Sequence, residues 1–128
     1  MKVEVSNGEL VDKVSILWIK LRKIKDENKL ANIRKEYQEL YATMRILGMD
    51  EESPNFKKLI EINSALWEIE DKIRKKEAAK EFDDEFIELA RSVYFKNDVR
   101  FEIKSLINQT TNSNLREEKE YVNYKDKE

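Results

Sequence analysis

From residue 10 onward the apolar residues recur at intervals of three and four. Leu10, Val14, Leu17, Leu21 and Ile24 form one series; Leu30, Ile33, Tyr37, Leu40, Met44 and Leu47 a second; Leu59, Ile62, Leu66, Ile69 and Ile73 a third. That rhythm lines one face of an α-helix, whereas a half-buried strand would alternate. A fourth segment is apolar at Phe86, Leu89, Ala90 and Val93 and again at Phe95, Val99, Ile103, Leu106 and Ile107. With 2 Gly and 1 Pro in 128 residues, turn formers are too few for a sandwich or barrel. The expected fold is all-α: two antiparallel helical hairpins packed as a four-helix bundle.

The breaks between the series set the boundaries. "SNGE" at residues 6–9 has capping-box spacing and opens the first helix, over about residues 8–25. Continuing the first stripe would put Asn28, Lys35 and Gln38 in the core, so the phase slips and a turn belongs at residues 25–28. The second helix runs over about 28–47 and closes at Gly48, suited to a left-handed cap. Ser53 as cap and Pro54 at the first position start the third, over about 54–79. Phe82, Asp83 and Ile87 read as staple, cap and staple partner for the fourth, over about 83–109. Residues 1–113 thus form one domain, with "MKVEVS" as a short strand or extended arm and 114–128 as a charged segment ending in a short helix or frayed tail.

Composition excludes several chemistries. The chain has no Cys, so no disulfide, no thiolate nucleophile and no zinc-thiolate site. It has no His, so no imidazole ligand and no Ser-His or Cys-His pair. A net charge of −2, from 25 basic and 27 acidic residues, gives no global field for nucleic acid or an anionic membrane. No apolar run approaches the roughly 18 residues of a spanning helix, and the first residues lack the apolar stretch of a signal peptide. A cytoplasmic protein that binds neither nucleic acid nor membrane is the expectation.

Folding the third and fourth helices back about residue 81 lays two polar stripes face to face. One carries Asn63, Trp67, Glu70 and Arg74; the other Arg91, Tyr94 and Asp98, with Asn97, Arg100, Lys104 and Asn108 alongside. Asp71 is then set against Arg91, Trp67 against Tyr94 or Phe95, and Asn63 or Ser64 against Asp98. The ordinary reading of such stripes is a salt-bridge ladder; the functional reading is a charged pocket for a small anion or a partner's helix. The candidate site residues are Trp67, Glu70, Asp71, Arg74, Arg91, Tyr94, Asn97, Asp98 and Arg100.

"VSNGELVDKVSILWIK" (5–20), "KLANIRKEY" (29–37), "LWEIEDKIRKKE" (66–77), "FIELARSVYFKNDVR" (86–100) and "EEKEYVNY" (117–124) together resemble an uncharacterised small-domain family of bacteria and their phages. The resemblance covers nearly the whole chain. It implies a shared helical fold and a shared polar seam, and it transfers no catalytic role.

Two enzyme families offer competing readings. MazG-like all-α nucleoside triphosphate pyrophosphohydrolases hold Mg²⁺ through an E-x-x-E pair and a later E-x-x-D pair, which Glu36 with Glu39 and Glu68 with Asp71 resemble. Carboxylates spaced in this way on facing helices make a hard oxygen cage for Mg²⁺ and a triphosphate. Against this, 27 acidic residues make such spacings easy to meet by chance, and Lys35 stands where an acid usually precedes the first pair. "LWEIEDKI" also faintly resembles the opening helix of helical chorismate mutases, but the arginine that family needs near Trp67 does not match. The aromatics Trp18, Trp67, Tyr37, Tyr41, Tyr94 and Phe95 are too many for a narrow seam, and aromatic anchors rimmed by charge are typical of protein contacts. The leading expectation is therefore a non-enzymatic interaction or oligomerisation module without a cofactor, binding a protein partner or a second copy of itself.

Overall fold

The computed structural model describes residues 1–124; the last four residues of the expected C-terminal segment lie outside the described residues. Four helices follow in order: α1 (Asn7–Lys23), α2 (Glu27–Ile46), α3 (Pro54–Ala79) and α4 (Asp84–Thr110). Among the described residues there is no strand. Residues 1–6 form no regular element, Val3 and Val5 are exposed, and Glu4 accepts from Asn114 Nδ2 at 2.8 Å.

The helix ends show how local chemistry sets the boundaries. Ser6 Oγ accepts from the Glu9 N–H at 3.1 Å, but the Glu9 carboxylate goes to Lys104 rather than back to Ser6, so the capping box is half formed. The α1–α2 break falls at residues 24–26, slightly before the expected turn. It needs no glycine because Ile24 is extended, with φ −84° and ψ 137°. Asp26 then caps α2 by accepting from the Lys29 N–H at 3.0 Å. Gly48 closes α2 at φ 83°, where a side chain would be strained. Ser53 stands at the N-cap of α3 with Pro54 after it, as expected, but its side chain makes no cap bond; its Oγ accepts from the Asp50 N–H at 2.9 Å and tightens the preceding loop instead. Asp83 caps α4 through the Phe86 N–H at 2.9 Å, with the Phe82 and Phe86 rings edge-on at 5.2 Å.

Both hairpins form, but α1 is the hub of the bundle. It packs against all three other helices, α3 packs along α4, and α2 rests on α1 alone. That asymmetry explains the second apolar series: only Leu30 and Met44 of its six residues are fully buried, because α2 has one neighbour to bury them against. The core gathers Val11, Val14, Met44, Met49, Phe56, Leu59, Ile62 and Ile107. Phe56, in the first turn of α3, is wholly buried although it precedes that helix's apolar series.

Candidate functional site

The strongest polar arrangement in the molecule ties three helices to one carboxylate. Asp12 of α1 is 1% exposed. Arg100 of α4 grips it with both prongs of its guanidinium, Nε donating to Oδ1 at 2.9 Å and Nη2 to Oδ2. Asn63 of α3 donates from Nδ2 to Asp12 Oδ1 at 2.8 Å and to Ser15 Oγ at 2.9 Å, and Ser15 donates to the Asp12 carbonyl at 2.6 Å. Hydrogen bonding to Asp12 holds the Arg100 guanidinium above its ordinary pKa. A charge pair this dry and this fully bonded fixes how helices register against each other.

One turn further along α4, Lys104 is buried between Glu9 at 2.7 Å and Glu117 at 2.9 Å. Burial alone would lower its pKa; hydrogen bonds to the two carboxylates more than offset this and hold it raised. At the end of α4, Asn108 Oδ1 accepts from the Gly8 N–H at 2.6 Å, and Ser113 Oγ from the Asn7 N–H at 2.9 Å. A Cβ on Gly8 would lie 2.4 Å from the Lys104 carbonyl oxygen, so only glycine lets α1 begin in contact with the α4 backbone.

Beside the Asp12–Arg100 pair, a cavity of about 420 Å³ opens between α1, α3 and α4. Six of the nine candidate residues line it: Trp67, Glu70, Asp71, Arg74, Asn97 and Arg100. The other three do not. Tyr94 and Asp98 border a second cleft of about 590 Å³, between α4 and the chain after it, which Asn97 also reaches; Arg91 lines neither.

The expected cross-helix partners are corrected throughout. Asp71 pairs with Lys75 at 3.5 Å and Arg91 with Glu88 at 3.2 Å, each on its own helix, and Arg74 stands 3.8 Å from Glu70. Asn63 turns to Asp12 instead of Asp98, while Tyr94 and Phe95 pack against Tyr124 instead of Trp67. The physical reason is the third helix. A hairpin read in isolation has two faces to match, whereas α1 lies against both α3 and α4 and takes their inward polar groups for itself. Asp12 was hidden in the sequence because it stands within "LVDKVSILW", an apolar run. The readable signal was Gly8, Asp12 and Ser15 at spacings of four and three, a stripe of small and polar residues between apolar positions of α1.

The carboxylates of the Mg²⁺ reading are not gathered. Glu36 and Glu39 belong to α2, which does not pack against α3, where Glu68 and Asp71 lie. Glu68 pairs with Lys23 at 2.6 Å, which holds its carboxyl below the ordinary value. Among the described residues no group of three or more acidic side chains is placed to hold a metal ion.

The outer side of α4 is unusually apolar. Phe95, Val99 and Leu106 are 41–44% exposed and, at spacings of four and seven, share one face of the helix. Residues 115–124 form no helix; they return along α4 as an extended strap. Its Tyr124 ring packs against Tyr94 at 4.8 Å and Phe95 at 5.1 Å, and its hydroxyl donates to Asp98, which pushes the Tyr124 pKa up to about 12. Elsewhere Trp18 is covered by the Arg22 guanidinium at 3.2 Å, and Tyr37 stacks on Tyr41 at 5.6 Å. Among the described residues no helix is long and apolar enough to cross a membrane.

Comparison with known proteins supplies the family and no activity. A family model described as a family of unknown function, DUF6165, matches residues 1–125, and the chain belongs to that family. No match was found among curated proteins or solved structures.

Proposed function

We propose that this member of the family is a cytoplasmic, non-enzymatic helical interaction module that self-associates through the outer face of α4. The observation that carries the reading is the row formed by Phe95, Val99 and Leu106, each left more than two-fifths exposed on one helix face. Scattered exposed apolar residues are normal; three on one face of a helix are what a partner helix covers. The charges beside the row favour a second copy. If two α4 helices lie antiparallel, pivoting between Phe95 and Val99, Phe95 of each copy meets Val99 of the other. Arg91 then meets Glu102 on the same flank, and two-fold symmetry makes that pairing twice. Absence of cysteine suits a reducing compartment, and the near-neutral charge balance offers no field for nucleic acid. The cavity residues Trp67, Glu70, Asp71, Arg74, Asn97 and Arg100 and the strap-side Tyr94 and Asp98 form the remaining binding surface.

One exposed helix face is a small interface, so the dimer should be weak and dependent on concentration. Sedimentation velocity across a dilution series tests it. Wild type is expected to shift from monomer to dimer as concentration rises, Val99→Glu to stay monomeric, and Arg91→Glu alone to weaken the dimer. Arg91→Glu combined with Glu102→Arg should restore it. A wild-type protein that stays monomeric at every concentration would sink the proposal.

A further inference from the structure

We infer that the strap of residues 115–124 is a displaceable cover on α4, and that a second copy of the chain must lift its Tyr124 end in order to dock. The inference rests on the self-association reading and adds its regulation. It begins with what holds the strap. Among the described residues, residues 115–122 make no backbone–backbone hydrogen bond. Three side chains of the segment attach it to α4. Glu117 reaches the buried Lys104 at 2.9 Å, and Lys119 lies over the Phe101 ring at 5.1 Å. Tyr124 packs against Tyr94 at 4.8 Å and Phe95 at 5.1 Å and donates its hydroxyl to Asp98. Between these anchors the strap bridges a cleft of about 590 Å³ instead of filling it, and its Tyr121 and Val122 are 68% and 88% exposed. A segment held without a backbone ladder and with little apolar surface buried opens far more readily than the helices beneath it.

The Tyr124 end lies where the second helix must come. A two-fold contact pivoting between Phe95 and Val99 needs the Phe95 ring for Val99 of the other copy, and that ring is one Tyr124 touches. Asp98, which accepts from the Tyr124 hydroxyl, stands between the same two residues in the chain, so Tyr124 sits at the height of the pivot. Arg91, Asp98 and Glu102 follow at spacings of seven and four, which puts them on one side of the helix. Tyr124 therefore also stands on the flank where Arg91 has to meet Glu102 of the other copy. Packed helices lie about 8–10 Å apart between axes, which leaves no room for a tyrosine ring at the edge that closes. Docked, the strap covers part of Phe95 and opposes pairing; lifted, it opens Tyr94, Phe95 and the charged flank together. A symmetric dimer lifts two straps, so the strap sets the concentration at which the chain pairs.

The test uses the full chain and follows two quantities along one dilution series: the dimer fraction by sedimentation velocity, and the ring contacts of Tyr124 with Tyr94 and Phe95 by nuclear Overhauser effects. In wild type those contacts are expected to be present while the chain is monomeric and to disappear as the dimer forms. Val99→Glu, monomeric throughout, should keep Tyr124 docked at every concentration. Tyr124→Ala and Glu117→Ala should each lower the dissociation constant of the dimer by about tenfold. Glu117 anchors the strap away from the Phe95 row, so its variant reports strap release without changing the surface to be covered. A dimer that forms with Tyr124 still docked, or a dissociation constant that either variant fails to lower, would overturn the inference and leave self-association standing. A wild type that stays monomeric throughout would overturn self-association and this inference with it.

Discussion

The two halves of α4 carry the same kinds of side chain and use them in opposite ways. In the second half, Arg100, Lys104 and Asn108 reach across to α1 and are largely or wholly withdrawn from water. In the first half, Arg91 pairs with Glu88 on its own helix and stays in solvent, 55% exposed. Neither residue type nor helical spacing distinguishes them. The difference is α1, which packs on α4 and places Asp12 and Glu9 beside Arg100 and Lys104; in the first half Arg91 pairs on its own helix, and Glu85 at the helix start, with the cap Asp83, reaches across to Lys76 of α3. A polar stripe on a helix therefore becomes structural only where another element takes water away from it, and elsewhere it remains a solvated flank.

The largest expected break in this comparison comes from Asp12→Ala. Leaving a half-buried Arg100 and the buried Asn63 without their shared carboxylate should cost about 3 kcal/mol of stability in urea denaturation, the low end for a buried pair because Arg100 keeps some access to water, whereas Asp71→Asn should change stability by no more than about 0.5 kcal/mol. Millimolar Mg²⁺ should leave both midpoints where they are, since the carboxylates of that reading lie on helices that do not pack together. Equal, small losses for the two substitutions would show that the buried network does not hold the bundle in register.

A smaller effect is expected where α1 begins. Gly8→Ala drives a Cβ to within 2.4 Å of the Lys104 carbonyl oxygen, a backbone atom that has little room to yield. The helix start must lift away, at about 1–3 kcal/mol, and hydrogen exchange should show the Gly8 amide losing protection first because its bond to Asn108 is the one stretched. Unchanged stability in Gly8→Ala would mean that α1 can shift along α4 freely.

The smallest effect belongs to the strap. Tyr124 ionises near 12 instead of near its ordinary value of about 10 because its hydroxyl is bonded to Asp98. A folded value above the unfolded one means the contact stabilises fully below about pH 10 and is lost as pH rises through about 12. The difference between the tyrosinate titrations of wild type and Tyr124→Phe should therefore show one hydroxyl ionising near 12. A difference centred at the ordinary tyrosine value would show that the strap does not hold Tyr124 against α4.

What could be read beforehand follows from how far each interaction reaches. The four helices, the break before α2, Gly48 at its end and Asp83 at the start of α4 depend on neighbours within a turn, and such signals lie in the order of residues. Ser53 shows the limit of that logic: the residue is right for a cap, but a loop N–H three residues earlier captured its hydroxyl. The candidate seam was legible as a set of polar positions on α3 and α4, and six of its nine residues do line one cavity. Its partners were not legible, because Asn63 and Arg100 are answered from α1, 51 and 88 residues away from Asp12 in the chain.

By itself, then, the sequence determined that this protein is a bundle of four helices, since a repeat of apolar residues at helical spacing leaves no other way to bury them. The tertiary structure alone decided that α1 stands at the centre, which charges are buried, and which stay in solvent. Part of that arrangement rests on Gly8, whose missing side chain lets α1 meet the α4 backbone while its N–H donates to Asn108. What such an absence permits is visible only once the helix that fills the space is in place.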